Sequence, residues 1–274
     1  MDILTVFAHE WRTALKQRSF YTFLFLFTFT CVMIFLILHQ VDGMAGYTQL
    51  SATMMNIVLY LLPLMTLFLG ALSLTQEKED RRFELVMAYP LTTASYIVGK
   101  FVGQFAAQWI IITFSFGLAN MMGLFAGVAM SVREFLLLYL FTVLLAAVFL
   151  ALGFAIGAFS ATRWQSLMAA VAVWFLLIMV WPSLLIGVLG FLPFGVVSAA
   201  LQLFTLLNPA EVLRILFTNW LGGGAIFGQP YYELMTALNS RMGHVLLALY
   251  VLIFVSFHLT VAIMKTERMR KYGL

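Results

Sequence analysis

The chain has 274 residues, 64% of them hydrophobic and 9% charged, with a formal net charge of +4. A water-soluble domain carries roughly 25% charged residues, so the composition excludes a soluble globular fold and points to an all-α, polytopic membrane protein. The positive balance does not indicate nucleic acid, because the basic residues flank apolar stretches and form no continuous stripe.

In residues 2–18, Ile3, Leu4, Phe7, Trp11, Ala14 and Leu15 recur at helical spacing, with Glu10, Arg12, Lys16 and Arg18 elsewhere on the wheel. This predicts an amphipathic helix lying in the membrane interface, with Trp11 at headgroup level. No short apolar region with a small-residue cleavage site precedes Ser19, so the chain from there reads as a retained span.

Ser19 to Val41, Phe101 to Val132 and Phe135 to Thr162 contain no Asp, Glu, Lys or Arg. A bilayer core requires about 20 apolar residues in helical form, and continuous rather than alternating apolar character argues for helices over a barrel. The spacing predicts six spans, near 19–40, 51–74, 97–125, 135–161, 166–190 and 244–264. Alternating sides from a cytoplasmic N-terminus puts Arg12, Lys16, Arg18, Lys78, Arg81, Arg82, Lys100, Arg163, Lys265, Arg268, Arg270 and Lys271 inside. Only Arg133, Arg214 and Arg241 then fall outside. That asymmetry predicts both termini in the cytoplasm.

The polar residues between the second and third spans concentrate in 76–100. Glu77, Glu79 and Asp80 are expected to open a short helix whose dipole they favour. Arg81 and Arg82 follow, Phe83, Val86 and Met87 share a face, and Pro90 ends the helix. Two readings fit the pattern: a helix over 77–90 that docks on a cytoplasmic partner, or a membrane-surface loop obeying the charge rule.

Residues 191–243 are apolar but broken by Pro193, Pro209, Gly222, Gly223, Gly224 and Pro230. A seventh span here would put the Lys265–Lys271 cluster outside, so short or re-entrant helices on the external side are expected, packed against protein. Asn208 reads as a helix cap, Pro209 as the first helical position and Glu211 as a first-turn acid.

The assigned spans hold almost no ionisable group except His258, read as making an interhelical hydrogen bond. His9, His39, His244 and His258 lack zinc-site spacing. The single cysteine, Cys31, permits no intrachain disulfide and no cysteine-based metal site. The 16 methionines allow a copper path, but adjacent pairs such as Met54–Met55 face apart on a helix and suit apolar filling. Glycine pairs at Gly99/Gly103, Gly123/Gly127 and Gly153/Gly157 permit close helix packing. No GxxxxGK[ST] loop occurs, so any ATP-driven role draws its energy from another polypeptide. Catalytic, metal and cofactor-binding residues are therefore assigned as none.

Three stretches carry a family likeness: HEWRTALKQRSFY at 9–21, EKEDRRFELVMAYPLTTASYIVGKFVG at 77–103 and LLNPAEVLRILF at 206–217. In order and spacing they resemble the ABC-2 type permeases over nearly the whole chain. The resemblance implies one domain over 1–274 that pairs with a second permease copy and two copies of a separate ABC ATPase, which would hold ATP and Mg. It also implies a coupling helix at 77–90, an interfacial helix carrying Phe7, Trp11, Arg12 and Lys16, and external helices in 191–243. A further implication is an extracytoplasmic partner in copper-site maturation of nitrous oxide reductase. A membrane anchor or assembly factor that conducts nothing remains the rival reading; an intramembrane enzyme lacks a paired nucleophile and base.

Overall fold

The computed structural model describes residues 3–39, 47–81, 92–125, 130–227, 231, 235–236 and 239–272, which are helical with short connections and contain no strand. The helices are α1 (Ile3–Lys16), α2 (Arg18–His39), α3 (Tyr47–Glu79), α4 (Thr93–Phe125), α5 (Val132–Phe159), α6 (Arg163–Trp174), α7 (Trp181–Gly190), α8 (Phe194–Leu207), α9 (Pro209–Trp220) and α10 (Arg241–Tyr272). A π-helical turn, Phe175–Val180, makes α6 and α7 one continuous rod. Among the described residues, five helices are long and apolar enough to cross a membrane: Leu50–Glu79, Thr93–Phe125, Val132–Phe159, Arg163–Val188 and Met242–Lys271. The count reaches seven if each of two bent pairs, α1 with α2 (65°) and α8 with α9 (109°), is one span.

The tightest seam joins α3 to α5. A Cβ built on Gly153 would lie 2.8 Å from the Leu67 carbonyl oxygen, and one on Gly157 only 2.5 Å from that of Ala71. Small residues let two backbones meet, which in lipid replaces the hydrophobic drive between helices. Around this seam Leu67, Ala71, Leu145, Phe149 and Phe154 are buried. The helix α3 runs through Pro63, and near that break the indole of Trp174 donates to the Tyr60 carbonyl at 2.9 Å. A neighbouring rod thus supports the backbone close to the proline.

Polar termini explain several helix ends. Ser131 caps α5, its hydroxyl accepting from the Glu134 amide while the Glu134 carboxylate accepts from the Ser131 amide at 3.0 Å. At the other end, Lys78 Nζ donates to the carbonyls of Gly157 and Ala158 (2.8 Å each) and Ser160 (3.0 Å), a cation on the last turn of a helix.

The pair α8–α9 is bent by 109° into a hairpin packed against protein. Its vertex, Asn208, is 0% exposed and touches Leu177, midway along the α6–α7 rod, while Leu206 accepts a hydrogen bond from Tyr250 of α10 at 2.9 Å. The returning α9 packs on α5, where the Phe141 and Phe217 rings lie 5.5 Å apart. The Asn208 side chain accepts from the Ala210 amide at 3.0 Å, Pro209 opens the helix, and Glu211 is buried against Arg214.

Two expectations change on contact with the fold. Glu77 and Glu79 do not open a separate helix. They form the last turn of α3, with Asp80 and Arg81 in the turn that ends it. Acids there oppose the helix dipole, and cations supplied by α4 and α6 outweigh that local preference. His258 bonds within its own helix, its Nδ1 lying 2.8 Å from the Phe254 carbonyl, instead of bridging two helices.

Candidate functional site

The charged side chains gather at the end of the bundle where α1 ends, α3 stops and α4 starts. Residues 82–91, between α3 and α4, lie outside the described residues, and with them Arg82, Phe83, Val86, Met87 and Pro90. The two roots of that segment are described, and they are tied to each other. Lys100 Nζ on α4 sits 2.5 Å from Glu77 Oε1 on α3, and the Tyr96 hydroxyl donates to Glu77 Oε2.

The same ammonium also reaches the N-terminal helix, lying 2.8 Å from Glu10 Oε1. Lys100 is 3% exposed, so it is paired twice by necessity; an unpaired ammonium at this burial would be expensive. The approach that allows the contact is again made by glycine. A Cβ on Gly99 would be 2.8 Å from Val6 Cβ, and one on Gly103 2.8 Å from Glu10 Cβ. The Gly99/Gly103 pair is therefore the seat of α1, with Val6 and Glu10 on the buried side.

This differs from the helical wheel in the placement of Glu10. Leu4 and Ile3 are exposed, Phe7 and Trp11 are half-buried and their rings stack at 6.1 Å, and Arg12 and Lys16 are exposed. Glu10, placed on the polar side by its charge, faces the bundle because Lys100 is there. Lys100, counted with the cytoplasmic basic residues although the predicted span starts at 97, lies buried near the start of α4.

A second ion cluster holds the α3 terminus to α6. Arg163 Nε is 2.8 Å from Glu79 Oε2, its backbone amide donates to Glu79 Oε1 at 2.7 Å, and its guanidinium lies 2.5 Å from Asp80 Oδ1. On the far side Thr93, in the first turn of α4, donates to Glu267 of α10. The two roots of 82–91, α3 and α4, are tied to each other through Glu77 and Lys100 and held by three further helices: α1 through Lys100, α6 through Glu79 and Asp80, and α10 through Thr93. No group of three or more His, Cys, Asp or Glu that could hold a metal lies among the described residues.

The sequence carried one usable sign of this arrangement. A lysine inside an apolar segment demands a counter-ion, and the two glycines bracketing Lys100 mark the face on which another helix can bring one.

The described residues thus form a multi-pass helical membrane bundle whose charged end grips the roots of one inter-span segment. The sequence profile of the ABC-2 family transporter proteins matches residues 4–260, and the chain belongs to that family. Permeases of this family normally work with an ABC ATPase partner. Among curated proteins it is similar to the "Probable ABC transporter permease protein NosY" of Stutzerimonas stutzeri, 26% identical over 200 residues covering 68% of this chain and 71% of that protein. It is likewise similar to the protein of the same name in Pseudomonas aeruginosa strain PAO1, 25% identical over 223 residues covering 78% and 80%.

Proposed function

We propose that this chain is the non-catalytic permease subunit of an ATP-driven ABC-2 transporter in a prokaryotic plasma membrane, and that the segment 77–90 is the handle on which a separate ATPase pulls. Six spans cross the bilayer: the five long apolar helices and α2. The hairpin α8–α9 returns to the external side, which leaves both termini and the charged end in the cytoplasm. Two ATPase copies, holding ATP and Mg, act on a pair of permease chains.

The observation that carries the reading is the double anchoring of the handle. Force applied to 82–91 passes through Glu77 to Lys100 and Glu10, and through Glu79 and Asp80 to Arg163, so spans α3, α4 and α6 move with it. A loop merely resting on the membrane surface would not require roots tied to each other and fixed to three further helices. Similarity to the NosY proteins supports a narrower role with an extracytoplasmic partner, in copper-site maturation of nitrous oxide reductase.

Replacing Phe83 and Met87 by Asp tests the handle. The variant should insert and fold but lose co-purification of the ATPase. Retained ATPase binding in detergent would refute this docking face, and binding without solute-stimulated ATP turnover would favour an anchoring role instead.

A further inference from the structure

Between α1, α2, α3 and α4, at the charged end, lies a cavity of about 300 Å³, at the lower limit of the roughly 300–1,000 Å³ of small-molecule sites. One wall is apolar, made by Phe23, Phe68, Leu69 and Leu72; the floor carries Glu10, Glu77, Asp80 and Lys100. A smaller cavity shares Gln17, Ser19, Leu69 and Gln104 with it and extends the lining to Gln108, one turn deeper on α4.

The charge balance of the floor selects the ligand. Glu10, Glu77 and Asp80 line it beside Lys100, whose ammonium is already held by Glu10 Oε1 and Glu77 Oε1, while Asp80 Oδ1 pairs with Arg163. Among the described lining residues, an anion entering here would meet no unpaired lysine or arginine, and His9 is the remaining basic side chain. The second oxygens of Glu10 and Asp80 accept no hydrogen bond among the described residues, whereas Glu77 Oε2 takes Tyr96 and Asp80 Oδ1 takes Arg163. The amide oxygen of Gln104 and both amide atoms of Gln108 are also buried without partners. Unsatisfied amides at such burial call for a cause. A bare metal ion fits poorly, since no three-ligand group gathers among the described residues and one wall is apolar.

We propose that this cavity binds an organic cation, a primary ammonium on an apolar chain, with the ammonium at Glu10 and Asp80 and the chain along Phe23, Phe68 and Leu72. The ammonium comes from the ethanolamine headgroup of a lipid in the same leaflet or from a soluble long-chain amine. Binding requires no nucleotide, so the site stands apart from the ATPase reading.

The test uses the full-length chain in phosphatidylcholine nanodiscs, titrated with dodecylamine, dodecanol or dodecyl sulfate while the unfolding midpoint is followed. Dodecylamine should raise the midpoint saturably, because a ligand bound only to the folded state stabilises it, and the other two should not. Asp80→Asn removes one acceptor, and Gln76→Trp, at a half-exposed position lining the cavity, obstructs it without touching Lys100. Each should weaken the dodecylamine response by about tenfold or more in concentration. An equal shift with dodecanol, or wild-type affinity in both variants, overturns the proposal. Repeating the titration with phosphatidylethanolamine in the discs separates the sources. A midpoint already raised, with dodecylamine displaced to higher concentration, assigns the lipid headgroup; an unchanged titration assigns the soluble amine.

Discussion

The side-chain amide of Asn208 donates to the carbonyl of Leu177 at 2.6 Å, and it supplies a bond that Pro182 withholds. In the π-helical turn the Trp181 amide reaches back five residues to Leu176. By the same register the partner of Leu177 would be residue 182, which is proline and has no N–H. A carbonyl left open at the middle of a transmembrane rod costs several kcal/mol in lipid, and the buried vertex of the α8–α9 hairpin closes it.

Asn208→Ala removes both the cap on Ala210 and the donor to Leu177, and should destabilise the protein by about 2–4 kcal/mol. Asn208→Asp should keep the cap and lose only the donor, giving a smaller loss. In the Asn208→Ala background, Pro182→Ala restores a backbone N–H and should recover about 1 kcal/mol. Denaturant unfolding of the purified chain reads all three, and additivity of the two alanine substitutions would show that the bonds are independent.

Lys100→Met strands Glu10 and Glu77 without their cation and should cost about 3–5 kcal/mol. The triple variant Glu10→Gln, Lys100→Met, Glu77→Gln removes the charges together and should be less damaged than Lys100→Met alone. Thermal unfolding in detergent compares them; a triple variant worse than the single would mean the ions are not acting as one unit.

Gly157→Val drives a side chain into the Ala71 carbonyl, where backbone stands on both sides and neither can yield. The expected cost is about 3 kcal/mol or more, seen as loss of the monodisperse peak in size-exclusion chromatography. Gly117→Val is the control, since a Cβ there meets nothing within 4 Å.

Arg81 ends α3 with φ of 55°, a left-handed conformation that an L-residue enters at a cost. Arg81→Gly should therefore stabilise the fold by about 1 kcal/mol, and Arg81→Val should destabilise it. A rise in the unfolding midpoint for glycine and a fall for valine checks the assignment.

The helical architecture was legible because uncharged runs such as Phe135 to Thr162 leave the chain no alternative in lipid. The break at Asn208–Pro209 was legible for a local reason too, since a cap residue followed by proline is written in adjacent positions. The charged end was not. Glu77 and Glu79 follow a single-helix rule that favours acids at a helix start, and partners on two other helices override it. Glu10 and Lys100 meet across 90 positions, and no periodicity within α1 or α4 reports on the other helix. Their pairing is a property of the Gly99/Gly103 face, which a sequence marks only as a place where some helix can approach.

The glycine seam between α3 and α5, fastened at one end by Lys78 on the Gly157, Ala158 and Ser160 carbonyls, has a mechanical corollary. Two rods whose main chains touch cannot slide or swivel past one another without collision, so they travel as a single beam. On the proposed transport reading, a change between inward- and outward-open shapes would leave this beam rigid and fall on the looser contacts elsewhere in the bundle.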